Sequence, residues 1–338
     1  MDKASQKNTC QELARKLGIG KATVSRAIRN CPGVDSETRR RILLEAMRSG
    51  IEFPNDPCSI YCILPGTPQF FWKLVLQLIQ EQLDGTKIAV KYNVYTNLYD
   101  FDTVLLYLDE AERLGAKVLV LSAKLSPAIR EKLISMQKNG VFVILLSEYG
   151  ELPNSVYVGP NPYGDGERLG RWFCRNYPNH TPVILNFDDC ANAAPRIRGF
   201  LHGFEQLRPT YRQQISMLTM TEAEIKNPKI FPGRLASIFS TLNMESTCIY
   251  TPYGSMQLPL VIIKSGLKAQ PPILLAHDCF QGSDTETVYA GYTASCNQDL
   301  AGQVCLAMEI ARTALLDPTQ PTKQVFHYVP SRICCGEP

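Results

Sequence analysis

From Ser59 onward, short apolar runs alternate with amphipathic stretches that close on glycine, and this alternation is the strongest constraint on what the 338-residue chain can fold into. "SIYCILP", "KIAVKYNVY", "KVLVLSA", "VFVILLS" and "SVYVG" read as strands, with helices "PQFFWKLVLQLIQEQLDG", "DTVLLYLDEAERLGA" and "SPAIREKLISMQKNG" between them. The plan repeats with helix "GDGERLGRWFCRNY", strand "PVILNF", helix "PRIRGFLHGFEQL" and strand "ISMLTM". Helix "GRLASIFSTL", strand "CIYTP", helix "SMQLPLVIIKSGL" and strand "PILLAH" follow. Strands that are apolar throughout and separated by helices are buried on both faces, which means parallel sheets in an α/β fold. The count predicts two sheets, broken near Gly159. "TVYAGYTASCNQDLAGQVCLAMEIARTALL" adds a strand and helix, and "KQVFHYVPSRI" a last strand. This body is therefore expected to span 59–338, with one lobe at about 59–159 and 288–318 and the other at about 160–287 and 322–338. Open parallel sheets bind ligands beyond the carboxyl ends of their strands, so two such lobes predict a cleft for a small molecule.

Residues 1–55 have a different texture. After Thr9, a candidate N-cap, Leu13, Ala14 and Leu17 recur at helical spacing. Gly18 to Gly20 reads as a tight turn around Ile19. A second helix, "KATVSRAIRN", places Val24, Ala27 and Ile28 on one face and Lys21, Ala22, Ser25, Arg26 and Arg29 on others, and Pro32-Gly33 stops it. A third starts near Asp35 and buries Ile42, Leu43, Ala46 and Met47. Two helices joined by a short glycine-containing turn form a helix-turn-helix, whose second helix meets base edges in the major groove. Residues 1–53 hold eleven Lys/Arg against six Asp/Glu, about +5, whereas the whole chain is +3, so the remainder is near −2. The positive charge is concentrated where phosphates would be met.

This stretch resembles the DNA-binding headpiece of the LacI/GalR family of bacterial transcription regulators. "KATVSRAIRN" is similar to that family's recognition helix and "VDSETRRRILLEAM" to its third helix. The resemblance implies that Lys21, Ala22 and Arg26 read bases, and that Thr9, Thr23, Ser25, Arg29, Asn30 and Thr38 touch the backbone of a double-stranded operator. The body, roughly Ile60 to Arg332, resembles the periplasmic-binding-protein-like sensor of the same family. "TPQFFW" resembles its aromatic entry to the first helix, "PRIRGF" its R-x-x-G-F motif and "LLAHDC" the segment with a ligand-contacting Asp. The resemblance implies a carbohydrate effector bound by Arg196 and Asp278. A guanidinium fork and a carboxylate suit adjacent hydroxyls, and Phe70, Phe71 or Trp72 would stack on an apolar sugar face. Ser122, Glu148, Tyr149 and Asn161, at or near strand ends, are further candidates. The expected protein is a homodimeric repressor on a palindrome, in which effector binding changes headpiece separation and hence operator affinity.

Two departures qualify that picture. The family follows "PN" with a hinge helix, whereas Pro54-Asn55 is followed by only "DPC" before the first strand. Three or four residues span at most about 14 Å, and Pro57 disfavours helix in its predecessor, so no hinge helix is expected. Operator binding should then bend DNA little, which a circular-permutation gel checks; a strong bend refutes it. The family's "ND" after a later strand is replaced by Tyr253-Gly254, which removes a polar ligand contact and leaves Tyr253 as a stacking candidate. A body that serves only as a protein-interaction or dimerisation module is the alternative.

Other classes find little support. There is no GxGxxG opening a βαβ unit, no GxxxxGK[ST] and no GxSxG, so an enzyme is not expected. "GDGERLG" could hold an anion at a helix start or simply mark an N-cap. The twelve cysteines are scattered without a CxxC pair or zinc spacing and read as small core residues of a reducing compartment. No metal or cofactor is expected. No apolar h-region and no run of about 18 apolar residues is present, so the expected location is the cytoplasm, with no membrane partner.

Overall fold

The computed structural model describes residues 3–28, 33–35, 38–39, 41–42, 45–46, 59–86, 88–96, 99–187, 191–209, 215–220, 233–234, 236–237, 240, 242–254, 258, 273–281 and 284–336. The chain forms two compact units. One comprises Met1–Leu146, Gly150–Val158 and Val304–Phe326, the other Ser147–Tyr149, Gly159–Gln303 and His327–Pro338. The chain was expected to return to the first lobe at 288. It returns instead at Val304, because the strand at 294–297 pairs within the second unit's sheet.

The first unit begins with helices α1 (Lys3–Leu17) and α2 (Lys21–Ile28). Its sheet has the order β13-β5-β4-β3-β1-β2, from strands β1 (Ile60–Pro65), β2 (Val90–Tyr95), β3 (Val118–Leu121), β4 (Phe142–Leu146), β5 (Val156–Gly159) and β13 (Val325–Tyr328). The pairings from β2 through β5 are parallel. Helices α3 (Gln69–Leu83), α4 (Phe101–Arg113) and α5 (Pro127–Lys138) connect these strands. Their ends follow local chemistry. Asp100 caps α4 by accepting from the Thr103 N–H, and Ser126 caps α5 ahead of Pro127. Each helix is followed by a left-handed glycine, Gly85, Gly115 and Gly140.

The second unit carries the sheet β14-β12-β9-β8-β6-β7, from β6 (Thr181–Phe187), β7 (Ser216–Met220), β8 (Thr247–Tyr250), β9 (Ile273–His277), β12 (Ala294–Asn297) and β14 (Arg332–Cys335). All pairings are parallel except β12 with β14. The single strand expected over "KQVFHYVPSRI" is two strands, β13 and β14, in different sheets. A small antiparallel ladder, β10 (Phe280–Gln281) with β11 (Asp284–Val288), was not expected, although "FQGSDTETV" places a Gly-Ser turn pair between polar-apolar runs. Apolar side chains fill both faces of this sheet: Leu185, Ile249, Leu274 and Ala276 in one cluster, Ile184, Phe200, Phe204 and Tyr250 in the other. The helix expected over 255–267 lies, apart from residue 258, outside the described residues. The last helix, α8 (Leu300–Leu316), runs from the second unit into the first.

Helices α6 (Pro162–Asn176) and α7 (Ala193–Leu207) cross at backbone contact. A Cβ added to Gly166, Gly170, Gly199 or Gly203 would lie 2.0, 2.3, 1.9 or 2.2 Å from a carbonyl oxygen of the opposite helix. Gly166 and Gly170 of "GDGERLG" therefore serve close helix packing, whereas Gly164 sits at the N-cap, where Asn161 Oδ1 accepts from its N–H at 3.0 Å. Arg208 closes the same region. Its guanidinium donates to the carbonyls of Cys174, Tyr177 and His180 and lies over the rings of Phe173 and Phe204.

Candidate functional site

Two separate places concentrate candidate functional chemistry. The first is the α1–turn–α2 segment. Gly18 is left-handed at φ 66°, which lets the chain reverse, and the Ile19 N–H returns to the Ala14 carbonyl at 3.0 Å. Leu13, Ala14, Val24, Ala27 and Ile28 are buried, as is Cys10, while Leu17 is half-buried. Helical backbone recurs at 38–39, 41–42 and 45–46, where Ile42 and Ala46 are buried and the Thr38 N–H donates to Asp35 Oδ1 at 2.8 Å. The opposite side of α2 leaves Lys21, Ala22 and Arg26 exposed, with Thr23 and Ser25 half-buried. Thr9 is not an N-cap. Helix α1 starts at Lys3, six residues earlier, because "KASQKN" contains neither Pro nor Gly to stop it. Arg29, Asn30, Leu43, Met47 and the segment expected to lack a hinge helix lie outside the described residues.

The second place is the carboxyl end of the second unit's strands. Here β8 runs into Thr251–Gly254, β9 into Asp278 and β12 into Gln298. Arg196, in the first turn of α7 and only 1% exposed, donates from Nη2 to Asp278 Oδ2 at 2.7 Å and from Nη1 to the Pro252 carbonyl at 3.0 Å. Gln298 donates to the same carboxylate twice, N–H to Oδ1 at 3.1 Å and Nε2 to Oδ2 at 2.7 Å. Its Oε1 accepts from Ser147 Oγ and Gln303 Nε2. Asn192 donates to the Ser147 carbonyl and accepts from the Tyr149 N–H. Asp278 and Ser147 both adopt left-handed φ, 55° and 65°, a conformation that costs a non-glycine residue roughly 1–3 kcal/mol and clusters at functional sites. A carboxylate offers about four lone-pair positions, and three are occupied, leaving room for one further donor.

Beside Asp278, His277 is fully buried, with Nε2 at 3.0 Å from the Tyr250 hydroxyl. Its Nδ1 has no hydrogen-bond partner among the described residues. Burial first, then the charges of Arg196 and Arg168, holds this imidazole well below its ordinary value of 6.5. An unfolded His277 takes up a proton near pH 6.5 and the folded one does not. Stability from neutral His277 is thus complete above that pH and declines progressively as pH falls below it. In urea titrations from pH 7.5 to 5, His277→Gln should flatten this decline; an unchanged profile would assign the acid sensitivity elsewhere.

The remaining sequence candidates fall as follows. Phe71 and Trp72 are buried in the first unit and pack edge-to-face on one another at 4.8 Å, whereas Phe70 is half-buried. Ser122, also in the first unit, is fully buried, and its hydroxyl donates to the Leu146 carbonyl. In the second unit Glu148 is buried and Asn161 is committed to its N-cap. Tyr253 packs against the Leu185–Ile249 core cluster. Gly254 is required beside it, since a Cβ there would meet the Asp278 carbonyl at 2.9 Å. The second unit thus brings Arg196 and Asp278 together. The sequence reading missed Ser147, Asn192, His277, Gln298 and Gln303, although "CNQD" at the end of a strand is a polar signature that could have pointed to Gln298. Among the described residues no group of three His, Cys, Asp or Glu could hold a metal ion, and no helix is long and apolar enough to cross a membrane.

Solved structures with this architecture are numerous. A sugar transporter from Clostridium phytofermentans aligns with a TM-score of 0.67 at 14% identity over 83% of this chain and all of that one. The Caulobacter myo-inositol binding protein, bound to myo-inositol, gives 0.67 at 16% over 82% and 93%. A proposed LacI transcriptional regulator from Bacteroides fragilis gives 0.66 at 11% over 83% and 97%. At these identities the likeness establishes the fold, an α/β body of periplasmic-binding-protein-like type with parallel sheets. No protein-family profile and no curated protein matches the chain.

Proposed function

We propose that the chain is a sequence-specific, non-catalytic DNA-binding transcription regulator, a homodimeric repressor whose operator affinity responds to a small sugar. The observation that carries this reading is helix α2, which buries Val24, Ala27 and Ile28 while exposing Lys21, Ala22 and Arg26 after a glycine turn. That arrangement suits a helix held by its apolar face and presented to the major groove by its polar one. The sugar half is supported by the fold likeness to a protein described as binding myo-inositol and by the carboxylate–guanidinium pair at strand ends. Genome-wide binding-site mapping with the full chain tests the reading directly, and a recovered palindrome is the expected result. On that site Arg26→Ala should cost about 1–3 kcal/mol and relax one base position. An equal loss on every sequence would make Arg26 a phosphate contact.

One observation favours the second reading, in which the body is an interaction or dimerisation module. Arg196 and Asp278 already pair with one another, with Pro252 and Gln298 taking further positions, and Tyr253 is packed on the core. A thermal-shift screen against sugars separates the two. A ligand at a hundred times its Kd stabilises by about 2.7 kcal/mol, whereas a module without an effector shows no shift with any sugar.

A further inference from the structure

Gln11 on α1 and Lys21 at the start of α2 are both exposed, and they touch. The Lys21 ammonium donates to Gln11 Oε1 at 3.3 Å. Arg26 is held apart from this pair, its Nε donating to the Ala22 carbonyl at 3.4 Å along α2. An ammonium carries three donors; a carboxamide carries two donors and one acceptor oxygen. A glutamine acting alone reads adenine, because it donates to N7 and accepts from the N6 amino group. Guanine is read by donors only, at N7 and O6. Here Lys21 already takes one of the two lone pairs of the oxygen that adenine requires, and the ammonium charge beside it opposes the approach of a base amino group to the other. What the two side chains present most favourably to a base is therefore the Gln11 amide donors and the unused ammonium donors.

We infer that Gln11 and Lys21 act as one composite reader of guanine, with Gln11 a specificity-determining residue supplied by the helix that precedes the recognition helix. This rests on the DNA-binding reading above. It adds a base identity and a residue outside α2.

The test is in-vitro selection from a random duplex pool with the full chain, followed by anisotropy titrations of the selected site and its single-base variants at one fixed salt concentration. The wild-type site should contain one position per half-site where guanine is preferred over adenine by about tenfold or more. Gln11→Ala and Lys21→Ala should each relax that position and leave the others unchanged. The double substitution should relax it no further, as expected for partners in one contact. Gln11→Glu keeps an oxygen for Lys21 but has no donor, so it should also lose the preference. Unchanged far-UV circular dichroism melting separates lost specificity from lost fold. Retention of the guanine preference in Gln11→Ala or Gln11→Glu, or an equal loss on all sequences, overturns the inference while the DNA-binding reading stands. Enrichment of no sequence by the wild-type chain overturns both.

Discussion

Arg196→Met should destabilise the second unit by about 3–5 kcal/mol, because it removes one member of a buried ion pair and leaves the Asp278 carboxylate without its cation. Arg196 is 1% exposed and Asp278 is 9% exposed, so solvent screens the pair little. The cost is raised further by the Pro252 carbonyl, which loses the Nη1 donor that fixes the turn after β8. Asp278→Asn is the informative partner substitution, since asparagine tolerates the left-handed backbone at this position while it removes the charge and replaces one acceptor oxygen with an amide donor. In a urea-denaturation cycle the double substitution Arg196→Met/Asp278→Asn should cost clearly less than the sum of the singles. Strict additivity would mean that the two side chains are not coupled. If the sugar reading holds, each single substitution should also abolish any ligand-induced thermal shift.

The second large effect is expected where α6 and α7 meet. Gly199→Ala places a methyl carbon 1.9 Å from the Tyr163 carbonyl oxygen, so the helices must separate by more than an ångström. Overpacking of this kind costs about 3 kcal/mol, and alanine's better helix propensity returns only about 1 kcal/mol. Backbone cannot rotate aside as a side chain can, and the displaced α7 also carries Arg196 and the buried Phe200 and Phe204. At roughly 2–4 °C per kcal/mol for a unit of this size, the calorimetric midpoint should fall by several degrees. Gly233→Ala is the control, since among the described residues nothing lies within 4 Å of a Cβ there, and it should leave the midpoint nearly unchanged. Equal midpoints for the two variants would contradict the close crossing.

Much of the fold is legible in the sequence. The continuous apolar runs of β1, β3 and β4 could belong only to strands covered on both faces, and the left-handed Gly85, Gly115 and Gly140 mark where α3, α4 and α5 stop. In and just after the α1–turn–α2 segment Leu13, Ala14, Val24, Ala27, Ile28, Ile42 and Ala46 are buried as their spacing predicts. The boundary of Thr9 was misread because a capping residue type inside a run free of helix breakers does not end a helix. Ser122 in the first unit and Asn161 in the second show what letters leave out, namely the bond from the Ser122 hydroxyl to the Leu146 carbonyl and the bond from the Gly164 N–H to the Asn161 side chain.

The polar networks were much less legible. Arg196 and Asp278 are 82 residues apart, Ser147 and Gln298 are 151 apart, and neither pairing leaves a periodic trace. The glycines of "GDGERLG" carry the same ambiguity, because a glycine at a helix start, one beside an anion and one against another helix are identical as letters. By itself the sequence determined the parallel α/β plan, the glycine turn between α1 and α2 and the face of α2 that points outward. Each follows from backbone periodicity and the burial of apolar surface, which act within a few turns of chain. Only the tertiary structure decided that α6 and α7 touch at four glycines, that Asp278 is held by Arg196 and Gln298, and that Lys21 leans on Gln11. Those contacts depend on helix crossing distance and on which strand ends or helices become neighbours, which no local pattern encodes.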